Sequence, residues 1–156
     1  MTRKGYYLAA PMVALLAITM LMGAGVTGKP QINTIGSPGL AIKGYDPVAY
    51  FDQGGPRAGM AKHTLQHAGV QWRFSSAANK AKFEQNPERY MPAYGGYCAY
   101  GVAQGYLVKI EPDAWAVRNG KLYLNYSTRV QQTWSKSPDA YINKANVRWP
   151  KLIKSR

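Results

Sequence analysis

The sequence predicts an α+β fold, a small domain in which short strands and short helices are interspersed. Val70, Trp72 and Phe74 alternate with polar residues, which is the period of a half-buried strand. Asn119-Gly120 separates two strand-like runs and indicates a hairpin. Helical patterns led by serine follow both strand regions, so strands and helices alternate along the chain.

Leu40-Ala41-Ile42 is the predicted start of the domain. Asp46-Pro47 predicts a helix N-terminus, because an Asp side chain accepts helix N–H groups and Pro suits the first helical position. Val48–Phe51 would continue this helix, and Gly54-Gly55-Pro56 would end the unit.

After the strand over 70–74, Ser75 or Ser76 is expected to cap a helix over Ala77–Gln85. Asn86-Pro87 ends this helix, since a residue before Pro avoids the helical region. Pro87–Met91 is expected to form one further turn.

Trp115–Arg118 and Lys121–Tyr126 are the predicted strands of the hairpin, because an Asn-Gly turn accepts positive φ at both central residues. Ser127 predicts a helix over Thr128–Lys136, and Ser137-Pro138 starts a last helix. No internal repeat is evident in the sequence.

The N-terminus resembles a secretory leader. Arg3 and Lys4 precede the apolar run Leu8–Met22, and small residues follow. Residues 1–28 therefore predict a signal peptide or an N-terminal anchor, with Leu8–Val26 long enough to span a membrane, and a buried core helix is the third alternative. Either of the first two readings exports the protein, to the periplasm of a bacterium or beyond the cell.

Beyond the leader, residues 29–39 read as a linker rich in Gly and Pro, 40–150 as the domain and 151–156 as a basic tail. Lys and Arg number 20 against 7 Asp and Glu, a net charge of +13. This charge favours an anionic surface as a partner, or it is simply a solvated surface. The basic residues are scattered along the chain, which argues against nucleic acid.

Cys98, in the segment Tyr94–Gly101, is the only cysteine. A single cysteine excludes an intramolecular disulfide and any paired-cysteine zinc or redox motif. Cys98 is a candidate metal ligand, a candidate redox thiol or a buried apolar residue. If a helix spans Tyr97–Gln104, the thiol lies in its first turn, where the helix dipole would stabilise a thiolate. Tyr94, Tyr97 and Tyr100 could line an aromatic pocket there.

His63 and His67 complete the candidate metal site. They share a face whether the segment is helical or extended, and thiolate and imidazole both suit copper or zinc. One Cys and two His fall short of four ligands, so a water, an oxygen ligand, Met60 or Met91 would have to complete the site. No hydrolytic nucleophile motif, phosphate loop or His-Glu-x-x-His motif is present, which favours a non-catalytic protein.

Four motifs follow one another in the first part of the domain. They are Asp46-Pro47-Val48, Ala61-Lys62-His63, Trp72-Arg73-Phe74-Ser75-Ser76 and Phe83–Tyr90, which reads Phe-x-x-x-Pro-x-x-Tyr. In these motifs and their order the chain resembles the YHS domain family over Ile42–Tyr90, and Tyr94–Gly101 and Trp115–Tyr126 resemble segments of an exported branch.

The resemblance implies a small metal-binding module, in a family often associated with heavy-metal and copper handling. Metal-binding members carry cysteine at three positions where this chain has Ala49, Ser75 and Asn79. Only His63 matches a family ligand, with Cys98 as a candidate replacement from another segment. The resemblance therefore implies the fold more directly than the metal site.

Three functions follow as hypotheses. The first is an exported, non-catalytic YHS-type module that binds a soft or borderline metal ion such as copper. The second is a structural or protein-interaction module that has lost the metal site. The third is a thiol-dependent redox protein using Cys98, which ranks last because no resolving cysteine is present.

Overall fold

A computed structural model describes residues 31–154, so the predicted leader and the last two residues lie outside the described part of the chain. Short helices alternate with two antiparallel hairpins, which confirms the predicted α+β class. Among residues 31–154, none of the helices combines the length and the apolar character that crossing a bilayer requires.

Ten named elements and two single 3₁₀ turns make up the domain. The 3₁₀ turns are Ala41–Gly44 and Ala93–Gly96. The named elements are α1 (Ala49–Asp52), β1 (Met60–His67), β2 (Val70–Phe74), α2 (Ala77–Gln85), α3 (Pro87–Tyr90), α4 (Ala99–Gln104), β3 (Glu111–Arg118), β4 (Lys121–Asn125), α5 (Thr128–Ser135) and α6 (Pro138–Lys154).

The same order of elements occurs twice. Residues 41–90, the first half, and residues 93–154, the second half, each run from a 3₁₀ turn to a short helix, a hairpin, a serine-capped helix and a helix that begins at Pro. The first strand has 8 residues in both hairpins and the second strand has 5. The domain is therefore an internal repeat, contrary to the expectation from the sequence.

Strand pairing supports this equivalence. In the first hairpin Met60 pairs with Phe74, and regular pairing resumes only at Thr64 after a bulge. In the second hairpin Glu111 pairs with Asn125, and pairing resumes at Trp115 after a bulge at the corresponding place. Because a bulge shifts every following side chain, two identical bulges give the two hairpins the same inward and outward faces.

Both hairpins close with two residues in the left-handed region. Asn119 and Gly120 have φ of 50° and 72°, which confirms the predicted turn. Ala68 and Gly69 adopt φ of 51° and 78° in the first hairpin, which the sequence did not predict. An alanine at this position is unfavourable, since its Cβ crowds the backbone at positive φ.

The serine caps form as predicted. The hydroxyl oxygen of Ser76 accepts the N–H of Asn79, and that of Ser127 accepts the N–H of Val130. The helix α2 has the predicted bounds, and α5 ends one residue earlier than predicted. The last helix, α6, continues to Lys154, so most of the predicted basic tail is helical.

Two apolar clusters lie on opposite sides of β4. Leu122 and Leu124 belong to the first cluster, together with Trp72, while Tyr123 points to the second. The second cluster is covered by one face of α6, whose packed residues are Tyr141, Ile142, Ala145, Trp149 and Leu152. The strand β4 is therefore packed on both faces.

The segment predicted as a linker packs on the domain. Ile32 and Asn33 are buried, and the backbone N–H of Asn33 donates to the carbonyl of Gly95 at 2.8 Å. The side chain of Asn33 also donates to the carbonyl of Gly96 at 3.0 Å. A Cβ at Gly95 would lie 1.6 Å from the carbonyl oxygen of Gln31, so glycine is needed for this close approach.

Candidate functional site

The Asp46 carboxylate is the most highly bonded buried polar group in residues 31–154, and none of its surface is exposed. Its Oδ1 accepts the backbone N–H groups of Val48 at 2.8 Å and Ala49 at 3.3 Å. Its Oδ2 accepts the N–H of Ser75 at 2.8 Å, the Ser75 hydroxyl at 2.6 Å and the Asn79 amide at 2.7 Å. Five donors thus saturate both oxygens of a buried charge.

This arrangement refines the predicted capping role of Asp46. The helix α1 begins at Ala49 rather than at Pro47, so the carboxylate closes the turn before the helix. The other oxygen reaches the residue that follows β2 and the first turn of α2. Asp46 therefore ties three elements of the first half together, which a local cap would not do.

The thiol of Cys98 occupies the position in the second half that the Asp46 carboxylate occupies in the first half. Its Sγ accepts the N–H of Gly101 at 3.3 Å and the N–H of Tyr126 at 3.2 Å. Tyr126 follows β4 just as Ser75 follows β2. Cys98 is the N-cap of α4, one residue before the helix instead of inside its first turn as predicted.

The backbone N–H groups of Asp46 and Cys98 also make equivalent hydrogen bonds. The N–H of Asp46 donates to the carbonyl of Arg57 at 2.8 Å, and the N–H of Cys98 donates to the carbonyl of Val108 at 3.4 Å. Each carbonyl belongs to the chain that leads into the first strand of its own half. The position before the short helix is therefore an acceptor position in both halves of the repeat.

The pKa of the Cys98 thiol is raised, because burial disfavours the thiolate. Backbone N–H groups of Gly101, Tyr126 and Tyr100 oppose this shift without reversing it. Burial therefore outweighs the stabilisation of a thiolate that was expected from the start of the helix. With 1% of its surface exposed, Cys98 is a neutral, packed thiol at neutral pH.

Asn125 completes the surroundings of the thiol. Its Oδ1 lies 3.8 Å from Sγ of Cys98 and accepts the N–H of Tyr100 at 3.2 Å. Its Nδ2 is fully buried and has no hydrogen-bond partner among residues 31–154. The buried polar groups around the thiol thus have fewer of their hydrogen bonds formed than those around the carboxylate.

The two histidines lie on β1 in the first hairpin. His63 falls within the bulge, and His67 is the last residue of the strand. The His67 ring packs edge-on against Phe83, with ring centroids 5.6 Å apart, and its carbonyl accepts the indole N–H of Trp72. The extended reading of this segment is confirmed, and both imidazoles are half-buried.

The described part of the chain gathers no group of three or more His, Cys, Asp or Glu residues suited to a metal ion. Cys98 contacts the end of β4 and the turn before β3, whereas the histidines lie on the strand β1 of the other hairpin. Copper or zinc bound by Cys98, His63 and His67 therefore stays a prediction.

The tyrosines around Cys98 are core residues. Tyr94 and Tyr97 are buried, and their rings lie 5.9 and 6.0 Å from the ring of Trp149 on α6. The hydroxyl of Tyr94 donates to Oδ1 of Asn146 at 2.9 Å. Burial raises the pKa of both phenols. The helix α6 thus covers the place where an aromatic pocket was considered.

Sequence reasoning missed Ser75, Asn79 and Asn125 as parts of these clusters. The available signal was the position of Ser75 and Tyr126, each directly after a strand and directly before a capping serine. No family model matches the chain, and no curated protein or solved structure was found that matches it.

Proposed function

We propose that this chain is an exported, non-catalytic module of the YHS type that has a structural or interaction role and does not depend on a bound metal. The observation that carries the proposal is the equivalence of Asp46 and Cys98. Both groups are buried, and both direct their acceptor atoms at backbone N–H groups of their own half. Groups used in this way stabilise the fold and leave no acceptor free for a ligand.

The positions expected for the family's cysteines support the same proposal. Ala49, Ser75 and Asn79 each donate a hydrogen bond to the Asp46 carboxylate. In a metal-binding member, on the resemblance, thiolates at these positions would face a cation. In this chain hydrogen-bond donors face a carboxylate, so a negative charge satisfied by protein donors stands in place of metal ligands.

Metal binding by Cys98 with His63 and His67 is the second candidate. It is favoured by the backbone N–H groups of Gly101 and Tyr126 that point at Sγ, because such donors favour a thiolate. A metal would have to displace the thiol proton, so its affinity would fall as the pH drops. Copper and zinc are the ions that this ligand set suits.

Elemental analysis separates the two candidates. The purified exported protein is supplied with micromolar Zn(II) or Cu(I), desalted and compared with Cys98→Ser and with a His63→Ala, His67→Ala double variant. The proposal predicts the same trace metal in all three proteins, with circular dichroism confirming that each is folded. One equivalent of metal in the wild type that is lost from Cys98→Ser would contradict the proposal and establish the second candidate.

Export is a separate part of the proposal. It is supported by Arg3 and Lys4 before the apolar run Leu8–Met22. A fusion of residues 1–40 to a reporter that is active only outside the cytoplasm should give activity. An expressed but inactive fusion would rule out export. The proposed structural or interaction role would then still be tested by the elemental analysis.

A further inference from the structure

We propose that the outer face of α6, together with Tyr106, binds the surface of a membrane that contains anionic phospholipids. This face carries four exposed basic residues, Lys144, Arg148, Lys151 and Lys154. Their spacing of three and four residues places them on one side of the helix. The inference extends the proposed function, because a module without a reaction acts through the surface that it presents.

The charge on this face is uncompensated. No Asp or Glu occurs between residues 140 and 154. Asp139, the one acid of α6, is held by two hydrogen bonds from Arg118, at 2.9 and 2.7 Å. Within residues 31–154 the ion pairs engage other cations and leave the four basic residues of α6 without a carboxylate partner.

Two exposed side chains, one on α6 and one just after α4, add apolar surface. Val147 lies within the basic stretch and is 66% exposed, and Tyr106 is 65% exposed. These are the most exposed of the large hydrophobic residues described. Arg148 links α6 to the segment that carries Tyr106. Its guanidinium donates to the carbonyl of Ala103 at 2.6 Å and lies 3.9 Å from where a Cβ on Gly105, the residue before Tyr106, would be.

This combination favours a lipid surface over nucleic acid. Basic residues attract lipid phosphates, while an exposed Val and an amphipathic Tyr fit the boundary between headgroups and acyl chains. The opposite face of α6 is already packed on the domain, so the helix would lie on the membrane as part of a rigid body. The predicted leader also delivers the protein to a membrane rather than to nucleic acid.

Vesicle co-sedimentation tests the inference. The wild-type protein should bind vesicles of phosphatidylglycerol and phosphatidylcholine, and binding should weaken as salt screens the charges. The triple variant Lys144→Gln, Lys151→Gln, Lys154→Gln should bind about 100-fold more weakly, since each basic residue near an anionic surface contributes about fivefold. Within residues 31–154, none of these three lysine side chains has a hydrogen bond or an ion pair, whereas Arg148 donates to the carbonyl of Ala103 and is therefore left unchanged.

A matched triple variant controls for net charge. Arg57→Gln, Lys62→Gln, Arg129→Gln removes three exposed positive charges that lie outside α6 and should bind nearly as the wild type does. A Val147→Asn, Tyr106→Ser double variant should also lose affinity while retaining all charges. Vesicle binding and metal retention are independent readouts, so failure of one leaves the other interpretable.

Three results would overturn the inference. Equal losses in both triple variants would mean that net charge alone governs binding. Equal binding to vesicles of pure phosphatidylcholine would remove the role of the basic residues. Binding of double-stranded DNA with the same dependence on the α6 lysines, and no binding to anionic vesicles, would assign the face to nucleic acid.

Discussion

Asp46 and Cys98 occupy the same place in the two halves of the domain. Each accepts the N–H of the residue after its second strand, Ser75 at 2.8 Å and Tyr126 at 3.2 Å, and each also accepts an N–H from the start of the short helix that it precedes. A charged carboxylate in one half and a neutral thiol in the other therefore both hold the end of a hairpin to the start of a short helix. The consequences for stability differ, because hydrogen bonds to a charged group are stronger.

Removing the carboxylate should be severe. Asp46→Ala leaves the buried backbone N–H groups of Val48 and Ala49 without an acceptor, and we expect a loss of about 3 kcal/mol or more in the free energy of unfolding. Asp46→Asn should also destabilise the protein. The amide keeps one acceptor oxygen, but its NH2 group is a donor and would face the other donors of the cluster.

Urea denaturation measures both variants of Asp46. Asp113→Ala, at an exposed aspartate, is the control and should change the free energy by no more than about 0.5 kcal/mol. A loss for Asp46→Ala as small as that of the control would show that the carboxylate does not hold the first half together.

The two hairpin turns predict a stabilising substitution. Ala68 and Asn119 have φ of 51° and 50°, yet only asparagine tolerates that conformation well. Ala68→Asn should raise the free energy of unfolding by about 0.5–1 kcal/mol, and Asn119→Ala should lower it by a similar amount. Thermal and urea unfolding check both changes, and a neutral Ala68→Asn beside a destabilising Asn119→Ala would refute the equivalence of the turns.

The Lys43–Glu111 ion pair predicts a pH dependence. The pKa of Glu111 is lowered by hydrogen bonds from Lys43 and Lys109, so this contribution to stability is present above the carboxyl's ordinary value of about 4.3 and is lost as the pH falls through the lowered pKa. The side chains are partly solvated, so Glu111→Gln should cost no more than about 0.5 kcal/mol at neutral pH.

The difference between Glu111→Gln and the wild type should vanish in acid and shrink in high salt. Glu88→Gln, at an exposed carboxylate of α3, provides the control in the same titration. A difference that persisted unchanged into acid would mean that Glu111 acts through packing and not through its charge.

The packed N-terminal segment predicts that the domain starts before Leu40. Burial of Ile32 and the two hydrogen bonds of Asn33 tie this segment to Gly95 and Gly96. A protein that begins at Leu40 should be less stable than one that begins at Lys29 by at least about 2 kcal/mol, the burial energy of one large aliphatic side chain. Equal urea midpoints for the two proteins would show that residues 29–39 are a linker after all.

Local signals in the sequence were sufficient for several elements. Ser76 and Ser127 mark the starts of helices. Each hydroxyl accepts the N–H three residues later, and such a local interaction can be recognised from the sequence alone. Asn119-Gly120 identifies its turn because both residues tolerate positive φ. Ala68 carries no such signal, and β1 is interrupted by a bulge that disturbs its alternation. The first hairpin was therefore only partly predictable.

The repeat was hidden because few residues are shared between the halves. The identical pairs include Gly69 and Gly120, Ser76 and Ser127, Pro87 and Pro138, and Tyr90 and Tyr141. The equivalent acceptors differ in type, Asp46 in one half and Cys98 in the other. Their shared role depends on contacts between residues far apart in sequence, such as Asp46 with Asn79, which no local pattern reveals.

The most direct test of the account is the reactivity of Cys98 with a maleimide after the protein has been stripped of metal by a chelator. Burial and a raised pKa predict that the thiol of the folded protein reacts only as fast as the domain opens, and that denaturant accelerates labelling in step with unfolding. Rapid, complete labelling of the folded protein without denaturant would contradict the account, because Cys98 would then be a reactive thiol or a ligand exposed by metal removal.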